Sequence, residues 1–177
     1  LSHIHFVANQ EARQRLLQMG ETDESIYVVG SPDVDVMLSD RLPTIDEVRR
    51  RYEIPFERFG IVLHHPVTTE LDDTAEHARN IVDALIESGH NYVVIYPNND
   101  AGSDEIMKEL ARLRGRSAFR MLPSMRFEYF LTLLRHAFAI VGNSSAGIRE
   151  APVYGVPTVN IGTRQDKRQR ADPDLAV

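Results

Sequence analysis

The chain has 177 residues, 42% of them hydrophobic, with 20 Lys and Arg against 26 Asp and Glu and a net charge of -6. That length suits one main domain with one sizeable core, and the acidic balance, with a pI near 5.6, argues against a nucleic-acid partner, which needs clustered Lys and Arg to neutralise phosphates. The absence of cysteine excludes disulfides and thiolate metal sites. Apolar runs such as Val93 to Tyr96 are far shorter than the roughly 20 residues that span a bilayer, so a cytoplasmic protein with no membrane partner is expected.

The chain opens at Leu1 with no basic or signal-like leader and enters an apolar strand pattern over Ile4 to Ala8, so it is read as a piece cut from something longer. Further strands are predicted at Ile26 to Val29, Gly60 to His64, Tyr92 to Tyr96, Ala118 to Leu122, Phe138 to Val141 and Thr158 to Ile161. Helical patterns lie between most of them, which is the signature of an α/β protein with a parallel sheet. The clearest helix is Asp73 to Ser88, where Ala75, Ala78, Ile81, Val82, Leu85 and Ile86 keep 3.6-residue spacing and Gly89 supplies a stop. Thr44 and Glu47 have capping-box spacing, while Ser103 and Ser124 are the expected N-caps of helices at Asp104 to Leu113 and Met125 to His136. The turn-rich segment from Gly30 to Asp35, with Pro43 later, is the expected domain boundary. Residues 1–30 then hold too little apolar surface for a core and read as the end of a preceding domain, with 31–177 a second domain, truncated at its end.

The polar clusters fall where strands end, and open α/β sheets bind ligands at the carboxyl ends of their strands. Ser144 and Ser145 sit between Gly142 and Gly147 at the expected mouth of a helix, where backbone N–H groups, hydroxyls and glycine backbone suit a diphosphate. Ser144 could equally be a plain N-cap with the glycines setting the turn. Glu150, about one helical turn on, suits a ribose diol or is a solvated helix residue. His64 and His65 end a strand. Either could bond a phosphate or serve as an acid, and strand alternation points one into the site and the other away. No third ligand at a recognisable spacing favours a metal. Asn98, Asn99 and Asp100 have the composition of any turn. Arg164 follows the last strand, where its planar fork could hold a phosphate, whereas Lys167, Arg168 and Arg170 read as a solvated basic surface. Neither a dinucleotide fingerprint nor a P-loop is present.

Taken in order, HIHFVANQEARQRLLQMGE (3–21), VVGSPDVD (28–35), HHPVTTE (64–70), YPNNDAGS (96–103), GNSSAGIREAP (142–152) and NIGTRQ (160–165) resemble the hydrolysing UDP-N-acetylglucosamine 2-epimerases of sialic-acid biosynthesis. The resemblance implies a Rossmann-like parallel sheet forming one half of a glycosyltransferase-B-like fold, with UDP and UDP-N-acetylglucosamine as ligands. It implies anti elimination of UDP and addition of water to give N-acetylmannosamine, without metal or nicotinamide, by a full-length homo-oligomer. Carried over by position, His65 matches the family's catalytic histidine beside the leaving group. Asn98, Leu122, Ser144, Ser145, Glu150 and Arg164 match its UDP contacts: the serines on the diphosphate, Glu150 on the ribose, the Leu122 backbone on the uracil. The proton-moving carboxylates belong to the family's other domain, so this piece alone is expected to be inactive. Other readings are an epimerase for a UDP-2,4-diacetamido sugar, a non-catalytic UDP-sugar-binding module, and a glycosyltransferase-type domain.

Overall fold

A computed structural model describes residues 2–166; the basic run at Lys167, Arg168 and Arg170 lies outside them. The chain divides into two compact units, Leu1–Asp40 and Arg41–Val177. The smaller holds β1 (His5–Val7), α1 (Gln10–Gln18), β2 (Ile26–Val28) and α2 (Pro32–Met37). Its two strands pair in parallel, His5 opposite Ile26. The Asn9 side chain caps α1 by accepting the Ala12 N–H at 2.9 Å, as a short polar residue does at a helix start.

The larger unit opens with α3 (Ile45–Tyr52). Its capping box is present: Glu47 N–H donates to Thr44 Oγ1 at 3.3 Å and Thr44 N–H donates to the Glu47 carboxylate at 2.7 Å. There follow β3 (Gly60–Leu63), α4 (Thr74–Glu87), β4 (Tyr92–Ile95), α5 (Ser103–Leu110), β5 (Phe119–Leu122), α6 (Phe127–Arg135), β6 (Ile140–Gly142), α7 (Ala146–Arg149) and β7 (Thr158–Asn160). The five strands β3 to β7 form one parallel sheet in the order β5-β4-β3-β6-β7. All seven expected strands are therefore found, most of them a residue or two shorter.

Two expected caps are corrected. Gly102, in the left-handed region at φ 94, holds the cap position of α5, and Ser103 is its first helical residue, with its hydroxyl turned back to the carbonyls of Asn98 and Asp100. Helix α6 starts at Phe127, not after Ser124, because Arg126 is extended at ψ 145, with its N–H donating to the Tyr52 hydroxyl at 3.1 Å.

The chain steps outward from β3 through β4 to β5, then returns past β3 to β6 and β7. Parallel crossovers are right-handed, so α4 and α5 lie on one face and α6, which crosses in the reverse direction, lies on the other. Val62 and Val94 accordingly pack with Ala78, Val82, Leu85, Ile106 and Leu110, while Ile61 and Val93, also fully buried, alternate to the opposite face. A strand pair buried on both faces reads as an unbroken apolar run, which is why β3 and β4 were legible. Among the described residues no helix is long and apolar enough to cross a membrane.

The reversal makes β3 and β6 neighbours whose following loops leave toward opposite faces, and two glycines permit the fit. Gly142 has φ 136, and a Cβ there would lie 2.2 Å from the Leu63 carbonyl oxygen. At Gly147 a Cβ would lie 2.6 Å from Thr158 Cγ2, and Thr158 Oγ1 donates to the Gly147 carbonyl at 2.6 Å. Packing within the fold thus requires glycine at both positions. Gly142→Ala combines backbone strain with overpacking, each typically about 1 to 3 kcal/mol. We expect urea unfolding to show a loss of about 2 to 6 kcal/mol; a loss below about 1 kcal/mol would mean the β3–β6 approach is not this tight.

Candidate functional site

At the β3–β6 switch point the two loops are joined by one side chain. Asn143, 1% exposed, directly follows β6. Its Oδ1 accepts the His65 N–H at 2.7 Å and its Nδ2 donates to the His65 carbonyl at 2.7 Å, so the amide continues the strand pairing one residue past the ladder. Its own N–H donates to the Leu63 carbonyl at 3.2 Å. The Asn143 carbonyl accepts from Gln165 Nε2 at 2.6 Å and from the Arg164 guanidinium at 3.3 Å. Thr163 and Glu70 make a further side-chain bond between the loops after β7 and β3. A fourth loop joins through Asn98, whose N–H donates to His65 Nδ1 at 3.2 Å.

That last bond sets the chemistry of His65. With Nδ1 accepting, the neutral ring carries its proton on Nε2. Burial and then the Arg164 guanidinium hold its pKa below the ordinary histidine range, against an upward pull from the Asn98 and Asp100 side chains. A neutral Nε2–H donor is favoured over an imidazolium, whose second proton would oppose the Asn98 N–H. His64 is more strongly affected. Burial first, then His65, His77 and Arg164, push it down to about 4.

The expectation that alternation separates the two histidines is not met. Strand β3 ends at Leu63, so period-two alternation no longer applies, and both residues line one cavity of about 20 Å³ with Glu70, His77 and Asn143. His64 is buried and, among the described residues, its Nδ1 has no hydrogen-bond partner. His65 is half-buried.

The helix after the serine loop, α7, has only four residues before a 3₁₀ turn over Ala151–Tyr154. Such a short helix contributes little macrodipole. Within the loop, Ala146 N–H donates to Ser144 Oγ at 3.3 Å, and the N–H groups of Gly147 and Ile148 donate to the carbonyls of Ser144 and Ser145. What the loop can offer an anion is therefore the N–H and O–H groups of the two serines. Glu150 sits between α7 and the 3₁₀ turn, half-buried. Leu122 ends β5 two strands from β3 with its side chain buried and its carbonyl bonded to the Tyr96 N–H at 3.0 Å. Of the candidate residues, His65, Asn98 and Arg164 are linked directly or through Asn143, which Ser144 and Ser145 follow in sequence. Asn98 has its side chain tied to Asp100.

Sequence reasoning did not single out Asn143 or Gln165. A polar residue directly after a buried strand, as Asn143 is, carried some signal; Gln165 carried almost none. Among the described residues no group of three or more His, Asp or Glu could hold a metal ion.

A parallel sheet with its polar loops gathered at a topological switch point places the larger unit among the Rossmann-like α/β proteins. The model of the UDP-N-acetylglucosamine 2-epimerase family matches residues 1–176, and the chain belongs to that family. A UDP-N-acetylglucosamine 2-epimerase of Neisseria meningitidis serogroup B is 53% identical over 95% of this chain and 44% of its own length. A UDP-N,N'-diacetylbacillosamine 2-epimerase (hydrolyzing) of Legionella pneumophila is 31% identical over 100% of this chain and 47% of its own. The chain thus spans about half the length of the curated relatives it matches. A solved UDP-GlcNAc 2-epimerase from Neisseria meningitidis, bound to UDP-GlcNAc, shares the fold with a TM-score of 0.68 at 17% identity, covering 98% of this chain and 47% of that one. The enzyme from Methanocaldococcus jannaschii gives 0.66 at 19%, covering 98% and 48%. The sheet is therefore of the kind that forms one half of the glycosyltransferase-B architecture.

The buried His64 has a consequence for stability. Its folded pKa, about 4, lies below its ordinary 6.5, so the unfolded chain takes up the proton first and stability falls as pH drops from 6.5 to about 4. The full loss from this group is about 3 kcal/mol. Urea midpoints measured across that window should fall more steeply for the wild type than for His64→Gln. Equal slopes would mean that the ring is not held neutral.

Proposed function

We propose that this chain supplies the UDP-binding half of a hydrolysing UDP-N-acetylglucosamine 2-epimerase. The reaction releases UDP from UDP-N-acetylglucosamine by anti elimination across C1 and C2, then adds water to the 2-acetamidoglucal to give N-acetylmannosamine. The observation that carries this reading is that Asn143 holds the His65 peptide through its side chain and takes the Arg164 guanidinium on its carbonyl, with Ser144 and Ser145 next in sequence, in a chain that matches the family from residue 1 to 176. As the C1–O bond breaks, negative charge grows on the β-phosphate. Donors already fixed around it stabilise that charge with little reorganisation, and His65 Nε2–H is one of them. The two serines hold the diphosphate, Arg164 adds a cation, Glu150 takes the ribose hydroxyls and the Leu122 backbone meets the uracil. Asn98 reaches the nucleotide by exchanging its bond to Asp100.

Residues 1–30 belong to the end of a preceding Rossmann-like domain and 31–177 to the UDP-binding domain. The carboxylates that move the C2 proton and activate water lie in the other domain, so this chain alone does not turn over. The whole protein is a cytoplasmic homo-oligomer. A second reading, an epimerase for a UDP-linked diacetamido sugar, is supported by the likeness to the Legionella protein; the higher identity to the Neisseria protein favours the first.

Calorimetry on the folded chain should detect UDP binding, and Ser144→Ala with Ser145→Ala should weaken it by about 1.5 to 3 kcal/mol for each charge-assisted hydrogen bond lost. A folded chain that binds no UDP, or a double variant with unchanged affinity, contradicts the assignment. In the enzyme with its first domain restored, His65→Ala should lower kcat by about 10²- to 10⁴-fold; an unchanged kcat would remove His65 from the leaving-group side.

A further inference from the structure

Two buried primary amides at the switch point are unexplained by packing. Asn143 is 1% exposed and Gln165 6%, and burying such groups costs free energy unless they are bonded. Asn143 is fully used, with both ends of its amide on the two sides of the His65 peptide. Since one end must accept and the other must donate, only one orientation of the amide fits. Gln165 is half used: its Nε2 donates to the Asn143 carbonyl at 2.6 Å, while its Oε1 is buried with no partner among the described residues. An apolar side chain would fill the same space at lower cost. Local rules broken in this way mark positions kept for arrangement, not stability.

What they arrange is visible in the connections. Gln165 adjoins Arg164, and both donate to the same Asn143 carbonyl. Asn143 adjoins Ser144, and its side chain fixes the His65 peptide. His65 in turn offers Nδ1 to the Asn98 N–H. Four loops from four strands are thereby set relative to one another by a single chain of hydrogen bonds.

We propose that Gln165 and Asn143 are positioning residues that, acting in series, hold the His65 peptide so that its ring keeps Nδ1 on the Asn98 N–H and presents Nε2–H to the diphosphate site. The diphosphate part of this statement rests on the UDP reading above. The positional part does not, because the ring's tautomer is defined without ligand. Neither residue touches the nucleotide; both act through His65, Ser144 and Arg164.

The test uses Gln165→Met, which keeps length and removes the donor, and Asn143→Asp, which keeps shape and replaces the donor to the His65 carbonyl with an acceptor. Long-range proton–nitrogen NMR spectra of the ligand-free chain at neutral pH report the two His65 ring nitrogens. The wild type should show one tautomer, protonated at Nε2. Both variants should show averaging between the two tautomers, and calorimetry should show UDP affinity reduced by about threefold to tenfold, the scale of one hydrogen bond. A purely structural role would lower the unfolding midpoint and leave the ring nitrogens and the UDP affinity unchanged; that result overturns the proposal. If Asn143→Asp does not fold, Gln165→Met alone decides. If the wild type binds no UDP, the UDP reading fails, and the ring nitrogens still decide the positioning role.

Discussion

The site depends on the clamp that the Asn143 side chain places on the His65 peptide. A parallel sheet that reverses its order of addition leaves two adjacent strands, β3 and β6, whose loops depart toward opposite faces. Nothing in the ladder itself holds those loops together past Leu63 and Gly142. The Asn143 amide does so by imitating a further residue of strand, bonding the His65 N–H and carbonyl at 2.7 Å each. From that clamp the other positions follow, since Gln165 and Arg164 both reach the Asn143 carbonyl and the serines come directly after it in sequence.

The electrostatics of this arrangement suit an anion better than a cation or a metal. Arg164 is close enough to disfavour protonation of both neighbouring histidines, so the local positive charge resides on a guanidinium that cannot lose it, while the imidazoles remain neutral donors. Neutral His65 offers a hydrogen bond whose proton position is fixed by the Asn98 N–H. Donors fixed before the reaction, in a partly desolvated site, are the arrangement that stabilises charge appearing on a leaving group. The short α7 and its mostly self-bonded first turn leave the serines, and not a helix dipole, as the donors this loop has open to an anion.

Much of this could be read from residues alone, and the reasons for what could not are physical. The strands were legible because β3 and β4 are buried on both faces and therefore written as short unbroken apolar runs. Helix α4 and the Thr44–Glu47 capping box were legible because their signals lie within a few residues. Ser103 and Ser124 failed as caps because a left-handed Gly102 and an extended Arg126 stand where those helices begin. The glycines of the serine loop suggested room for a phosphate, but the close approaches to Leu63 at Gly142 and to Thr158 at Gly147, which leave no space for a Cβ, carried no signal in the sequence. Asn143 and Gln165 were passed over because their partners lie 78 and 22 residues away, and hydrogen bonds of that span leave no local pattern. The relatives' motifs placed the chain in its family; the geometry adds how the motifs are held in register.

The central claim, that the β3–β6 crevice is where a nucleoside diphosphate sits, is tested most directly by a crystal structure of this chain grown with UDP. The account predicts the β-phosphate within hydrogen-bond distance of the Ser144 and Ser145 donors and of His65 Nε2, with the His65–Asn143 clamp intact. UDP bound away from these residues, or a clamp that opens to admit it, would contradict the account.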